Sequence, residues 1–220
     1  MEYLNGFLSW PKKLSLILGL GLMYCLPLQA QNEGKEFPYG EEHNFGQAVA
    51  IDGDWGVIVS QTDYGEEASI RVYQSRAISS NNQTVIDWSL FQEFSIPLRQ
   101  VMDIDISGDR LAVSGLDHDL EPVVQIYIRV GNNQRFHSHY PARSIYESNA
   151  TDHFGYAIDL DGGQLIVGSP KMPQDLSNQP ASFSIYNFVN PMYGFYENWN
   201  QSLRISDPGS CEGLGYDVAL

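Results

Sequence analysis

The chain repeats one pattern of residues three and a half times. The segments FGQAVAIDGDWGVIVS from Phe45, QVMDIDISGDRLAVSG from Gln100 and FGYAIDLDGGQLIVGSP from Phe154 share it, and LGYDVAL from Leu214 begins it again. The period of about 55 to 60 residues is typical of chains built from stacked supersecondary units. We therefore expect units at residues 45–98, 99–152 and 153–212, with 213–220 starting a fourth.

Each unit is predicted to form four short strands, because β-branched and aromatic residues dominate its short apolar runs and helical periodicity is absent. A glycine follows the first strand of each unit, in Asp52-Gly53, Ser107-Gly108 and Asp161-Gly162. Tight hairpin turns need the positive φ that glycine adopts at low cost. The strands are expected at 47–51, 57–59, 69–73 and 88–96 in the first unit, and at 102–106, 111–113, 123–128 and 135–140 in the second.

Large and small residues alternate along the first strand of each unit. In the first unit they divide into two faces, Phe45, Val49 and Ile51 against Gly46, Ala48 and Ala50. A sheet with one bulky and one small face is suited to packing between two similar sheets. The sequence thus predicts an all-β fold, a partial β-propeller of about three four-stranded blades plus the first strand of a fourth.

These strings, with the following strands ASIRVY and ASFSIY, resemble the FG-GAP repeat of integrin-α-type β-propellers, especially its exported bacterial form. Phe154-Gly155 and the segment 167–170 (VGSP) match the two halves of the motif. The second unit has Gln100-Val101 in place of Phe-Gly, and the first unit lacks the Gly-Ala-Pro end. The resemblance covers residues 45–220 and implies a propeller fold, which serves unrelated functions in different proteins.

The N-terminal segment predicts export. Lys12 and Lys13 precede an apolar run of about 13 residues, which is the length of a signal-peptide core and short for a membrane span. We expect residues 1–30 to be a signal peptide cleaved after Ala30, followed by a polar lead-in at 31–44 and no membrane insertion after cleavage. An uncleaved anchor and a lipid anchor on Cys25 are the alternatives. Either way the chain is predicted to be secreted or on the cell surface.

The net charge of the chain excludes some classes of binding partner. Without residues 1–30 the chain keeps 26 acidic and 10 basic residues, a net charge of −16. Nucleic acids and anionic lipid surfaces require a basic face, so neither is predicted as a partner. The expected partner is an extracellular protein or a glycan, and the acidity favours cationic groups.

Acidic residues in the loops between the second and third strands would gather on one rim of a propeller. These rim residues are candidates for ligand binding, with solubility as the alternative role: Asp63, Glu66, Glu67, Asp117, Asp119 and Glu121. The calcium loop of the resembled family needs about nine residues between the first two strands, whereas these connections have two or three. No cofactor is therefore predicted.

A second acidic set interrupts the small face of the innermost strands, at Asp103, Asp105, Asp159 and Asp217. Partly buried carboxylates need hydrogen-bond donors, which backbone N–H groups or channel water would supply. A metal ion bound by Asp103, Asp105 and Asp159 is the alternative. His137 and His139 share a strand face at a ligand spacing, but no third ligand is evident.

No catalytic motif occurs: the sequence has neither a Gly-x-Ser-x-Gly elbow nor His-Glu-x-x-His, and no glycine-rich phosphate loop. The predicted function is a non-enzymatic binding or adhesion scaffold that presents a loop-lined rim. Two alternatives stay open: a purely structural role, and the propeller part of a larger secreted polysaccharide hydrolase or lyase with its catalytic part beyond residue 220. An open stack of blades also predicts self-association.

Overall fold

A computed structural model gives the fold. It describes residues 45–61, 67–80, 83–130, 135–137, 140–147, 153–172, 180–189, 197–207 and 214–220. The predicted signal peptide and polar lead-in lie outside this part of the chain. Within it no helix occurs, and so there is no helix that could cross a membrane.

All strands of the described residues belong to three antiparallel sheets. This confirms the prediction of an all-β fold. The first sheet contains β1 (Ala48–Asp52), β2 (Trp55–Ser60), β3 (Ala68–Ser80) and β4 (Gln83–Ile96). The second contains β5 (Gln100–Ser107), β6 (Arg110–Leu116), β7 (Pro122–Val130), β8 (Arg135–Phe136) and β9 (Arg143–Ile145). The third contains β10 (Ile158–Asp161), β11 (Gln164–Ser169), β12 (Ala181–Val189) and β13 (Asn198–Asp207). Within each sheet, strands adjacent in sequence pair with each other, except that β9 pairs with β7.

The first hairpin of each sheet turns at the predicted glycine. Gly53, Gly108 and Gly162 have φ values of 55°, 58° and 56°. This left-handed region is sterically unfavourable for residues with a Cβ. The glycines therefore fix the register of β1 with β2, of β5 with β6 and of β10 with β11.

The fourth strand of the second unit differs from its prediction. Instead of one strand at 135–140, two short strands pair with β7, β8 at Arg129 and Val130 and β9 from Val124 to Ile126. Pro141 lies between them, and proline has no N–H to donate to a strand ladder. The pairing resumes at Ala142, whose N–H donates to the Ile126 carbonyl at 2.7 Å.

The β3–β4 hairpin is longer than predicted. Pairing continues from Arg76–Asp87 through Ile78–Val85, beyond the expected strands at 69–73 and 88–96. Polar residues such as Gln74 and Ser75 interrupt the apolar pattern here, which explains why the sequence predicted only the apolar part of each strand.

The hydrophobic core lies between successive sheets. One cluster joins the first sheet, through residues such as Val59 and Ile70, to Ile104 and Leu111 of the second. Another joins the opposite face of the second sheet, including Val124, to the third sheet. Within the described part of the chain, the second sheet therefore has a neighbouring sheet on both faces, whereas the first and third each have a neighbouring sheet on one.

Candidate functional site

The first strands of the second and third sheets, β5 and β10, are joined by side chains of the predicted acidic set. Asp103 Oδ2 accepts a hydrogen bond from the Ile158 N–H at 2.8 Å, and Asp105 Oδ2 accepts one from the Leu160 N–H at 2.6 Å. Both bonds connect residues 55 positions apart, which is one repeat. The carboxylates thus join equivalent strands of consecutive units.

Equivalent bonds join the ends of the first strands to the glycine turns of the next sheet, and β10 to the segment 214–220. Asp52 Oδ2 accepts from the Gly108 N–H at 2.7 Å, and Ser107 Oγ accepts from the Gly162 N–H at 2.9 Å. Asp159 Oδ2 accepts from the Leu220 N–H at 2.5 Å, so the start of the fourth unit is held in the same way. We call this set the inner ladder, with acceptors Asp52, Asp103, Asp105, Ser107 and Asp159.

The second oxygen of each carboxylate in β5 also has a donor. Asp103 Oδ1 accepts from the Ile104 N–H and Asp105 Oδ1 from the Ile106 N–H, both at 2.8 Å. Two backbone donors for each group offset the cost of burying a carboxylate. Among the described residues, no three His, Cys, Asp or Glu side chains are placed to hold a metal ion. The geometry gives these carboxylates a role in joining strands.

Burial shifts the titration of the ladder carboxyls. It raises the pKa of Asp105 to about 6, against the opposing effect of the N–H donors of Leu160 and Ile106 and with a further rise from Asp159. Burial also raises the pKa of Asp103, again opposed by its two N–H donors and assisted by Asp217 and Asp159. The strands β5 and β10 thus hold several carboxyl groups close enough for their negative charges to repel one another.

We expect the stability of the chain to fall as the pH rises from about 4 to about 6. In that window Asp105 is ionised in the unfolded chain but retains its proton in the folded one, so the folded state binds more protons. The contribution should be on the order of 1 kcal/mol, since contact with solvent screens the group. Urea unfolding across this range should show a shallower slope for Asp105→Asn; an unchanged slope would contradict the assignment.

The predicted acidic rim is described in part, since Asp63 and Glu66 lie outside the described residues. Glu67 directly precedes β3 and is exposed. Asp117 directly follows β6, and Glu121 directly precedes β7 at the position equivalent to Glu67. The described rim residues therefore lie at the ends of strands opposite the glycine turns.

The connection from β6 to β7 is a compact acidic loop, residues 117–121. Asp117 Oδ1 accepts hydrogen bonds from the N–H groups of Asp119 at 2.9 Å and Glu121 at 3.0 Å. This closes the loop and leaves the side chains of Asp119 and Glu121 exposed. Leu120 is 51% exposed and adopts a φ of 64°, which is rare for a leucine.

A tyrosine extends this surface. Tyr146, directly after β9, is 52% exposed and donates its hydroxyl to Asp117 Oδ2 at 3.1 Å. Partial burial and then the hydrogen bond and charge of Asp117 raise the pKa of Tyr146, with Glu121 and Asp119 adding to the rise. The acidic loop and Tyr146 together form a surface with two exposed apolar groups among three carboxylates.

The sequence did not predict Leu120 or Tyr146 as site residues. Exposure of an apolar residue cannot be read from a pattern in which apolar residues indicate core, and Tyr146 follows a strand that the sequence missed. At the same end, the buried Nε of Arg99 has no hydrogen-bond partner among the described residues.

The opposite end of the sheets carries a recess of about 420 Å³. It is lined by the glycine turns of the first two sheets and by two larger side chains, Trp55 and Arg129. The Arg129 guanidinium lies 4.2 Å from the centre of the Trp55 ring, an arrangement that covers the ring face with a cation. Because that face is already occupied, the recess offers no open aromatic platform.

No protein-family model matches the chain, and no curated protein matches it. Among solved structures, it is similar to Hsv2 of Kluyveromyces lactis, with a TM-score of 0.39 and 14% identity over 74% of this chain and 62% of that chain. The values for Hsv2 of Kluyveromyces marxianus are 0.38, 14%, 74% and 61%. The chain thus spans less than two thirds of each, and neither a family nor a function follows from these matches.

Proposed function

We propose that the chain is an exported, non-enzymatic binding scaffold, part of an FG-GAP-type β-propeller, whose acidic loop binds a basic segment of an extracellular protein. The repeat pattern, the resemblance of its motifs and the stack of three antiparallel sheets support the propeller. The observation that carries the binding role is the surface formed by Asp119, Glu121, Leu120 and Tyr146. Side chains of this kind suit a peptide with alternating cationic and apolar residues.

The loop orders one of its carboxylates and leaves two facing solvent. Asp117 is engaged by two N–H groups and by Tyr146, so it orders the loop. Asp119 and Glu121 are exposed, and a Lys or Arg side chain of a partner would meet them without a large desolvation cost. An apolar neighbour on that partner would contact Leu120 and the Tyr146 ring, which supply the burial that exposed ion pairs lack.

The test uses immobilised chain and synthetic peptides rich in Lys and Leu, with the same peptides carrying Glu for Lys as the reference. We expect binding of the basic set, weakened by salt, and a loss of about tenfold or more in Asp119→Asn with Glu121→Gln. Tyr146→Ala should weaken binding, whereas Tyr140→Ala, at another exposed tyrosine, should not. Binding confined to glycans, or equal binding of both peptide sets, would overturn the proposal.

A further inference from the structure

The first strand of the first sheet exposes residues whose equivalents in the other sheets are buried. Val49 and Ile51 are 60% and 64% exposed. Their counterparts are Ile104 and Ile106 in β5, at 4% and 3%, and Ile158 and Leu160 in β10, at 6% and 4%. Those counterparts pack on the preceding sheet. The first sheet thus has a contact face against which no sheet of the described residues lies.

This face extends beyond β1. Ile58 is half-buried, whereas its counterparts Val113 and Val167 are fully buried. Trp88 pairs with Ser75 as Trp199 pairs with Phe188, yet Trp88 is half-buried and Trp199 is buried. We call Val49, Ile51, Ile58 and Trp88 the front face. The polar pair Arg71 and Glu93 lies beside it, at the place where Ser184 and Arg204 lie on the third sheet.

The third sheet exposes apolar residues on its opposite face, the face that is covered by the next sheet in the first two units. Ile205 pairs with Phe183 as Phe94 pairs with Ile70 and Ile145 with Val124. Ile205 is 45% exposed, whereas Phe94 and Ile145 are 8% and 6% exposed under the next sheet. Phe183 and Ile185 are half-buried, and their counterparts in the first two sheets are fully buried. We call Phe183, Ile185 and Ile205 the back face.

From these faces we infer that a second copy of this chain docks head to tail, with its front face on the back face of the first copy. The contact would continue an interface that the chain already builds twice, between its first and second sheets and between its second and third. Each apolar face matches the one it would meet, because both are repeats of faces that fit one another within the chain.

The glycine of the Phe-Gly pair supports this docking. Gly155 and Gly215 have φ values of 82° and 84° and lie against the preceding sheet, so that a Cβ would come within 2.8 Å of Ser114 Cβ and 2.4 Å of the Ser182 carbonyl oxygen. Gly46 has nearly the same φ, 79°, but no atom of the described residues lies within 4 Å of a Cβ placed there. It has the backbone of a packed repeat without the neighbouring sheet.

Docking requires one rearrangement. The segment 214–220 lies where β1 of the second copy would lie, held by Gly215 on the third sheet and by the Leu220 N–H on Asp159. β1 has the same pattern of large and small residues and brings β2, β3 and β4 with it. A docked sheet would cover Phe183, Ile185 and Ile205, which the single segment leaves partly exposed, so it gains apolar burial that the segment lacks.

The test measures the mass of the purified chain against concentration by sedimentation, with circular dichroism as the check on folding. We expect wild-type association that strengthens with salt, because both copies are acidic. Ile51→Asp on the front face and Ile205→Asp on the back face should each weaken it by about tenfold or more. Mixing the two variants should restore a one-to-one dimer, since each retains one intact face.

Two further variants complete the design. Ile78→Asp changes another half-exposed isoleucine, on the part of β3 beyond its counterparts in β7 and β12, and should associate as wild type does. Gly215→Val should strengthen association, because it displaces the competing segment. A monomeric wild type, equal loss in all three Asp variants, or no dimer on mixing would overturn the inference. Loss with Ile51→Asp alone would indicate front-to-front pairing and overturn it too.

Discussion

Gly155→Ala should destabilise the chain by about 2 to 4 kcal/mol. Two effects add. A residue with a Cβ is strained at the φ of 82° found there, at a cost of about 1 to 2 kcal/mol. The new Cβ would also lie 2.8 Å from Ser114 Cβ, too close for two carbon atoms, so the second and third sheets must separate locally. Urea unfolding followed by tryptophan fluorescence measures the loss.

Gly46→Ala, measured with Gly155→Ala at a dilution where the chain is monomeric, is the matched control. Gly46 belongs to the same motif and has a φ of 79°, but no atom of the described residues lies within 4 Å of the place that an alanine methyl group would take there. Strain and the change in unfolded-chain entropy are therefore shared by both variants, and the difference of about 1 to 3 kcal/mol isolates the contact between sheets. Equal losses in the two variants would show that the glycine serves only the backbone conformation.

A second variant locates the contact. Ser114→Gly in the Gly155→Ala background removes the clashing Cβ, and should recover part of the loss even though glycine weakens a strand. The third sheet already carries this solution, because Gly168 stands at the position equivalent to Ser114 and lies against Gly215. Failure of Ser114→Gly to recover any stability would place the effect of Gly155→Ala elsewhere.

Local chemistry explains why so much of the fold could be predicted. The glycines after the first strands predicted tight turns, and Gly108 and Gly162 have the expected positive φ. Alternation of large and small residues predicted sheets that pack between similar sheets, and the second sheet has a buried cluster on each of its faces. Both signals act within a few residues of chain, where sequence and conformation are closely linked.

For contacts between units, the sequence predicted that certain groups need a hydrogen-bond partner but not which group supplies it. The sequence indicated that Asp103 and Asp105 require donors, but the donors are backbone N–H groups 55 residues away, and every residue except proline has one. Gln92 is a similar case: its side-chain amide bonds both the N–H and the carbonyl of Phe136, at 2.8 and 2.9 Å, across two sheets. Nothing in the sequence near Gln92 identifies that partner.

The acidic loop shows the same limit at the candidate site. Its carboxylates were predicted as rim residues, but the sequence did not distinguish Asp117, which closes the loop, from Asp119 and Glu121, which face solvent. That division depends on the hydrogen bonds of one turn. Tyr146 joins the surface only because Pro141 divides the fourth strand and pairing resumes at β9. Tertiary pairing decided the composition of the surface.

A second large loss of stability is expected from Glu147→Ala. Glu147 follows β9 of the second sheet and is bonded by four side chains of the third. Ser184 and Tyr186 donate to Oε2 at 2.9 and 2.8 Å, while Gln201 and Arg204 donate to Oε1 at 3.1 and 2.5 Å. Burial, and then the charge and hydrogen bond of Glu147, raise the pKa of Tyr186, so its hydroxyl remains a donor.

Removing this carboxylate takes the charge of Glu147 away from the largely buried Arg204 guanidinium and takes its oxygen away from the Tyr186 hydroxyl. The expected cost is about 2 to 4 kcal/mol, since loss of one member of a buried pair leaves the other's desolvation uncompensated. Asp109→Ala is the control: Asp109 also forms an ion pair, with Arg110 at 2.9 Å, but it is exposed. Its loss should cost no more than about 0.5 kcal/mol.

A double variant separates charge from packing. The cost of Glu147→Ala can be tested for its origin in the lost ion pair with Arg204. If that ion pair is the origin, adding Arg204→Met should recover much of the lost stability, because a neutral side chain of similar length needs no anion. Glu147→Gln should fall between, as its amide keeps one acceptor for Tyr186 and Ser184 but no charge for Arg204. If Glu147→Ala and Asp109→Ala cost the same, the polar bridge from Glu147 adds nothing to the apolar contacts and the backbone hydrogen bonds of Asp103 and Asp105 that also join the second and third sheets.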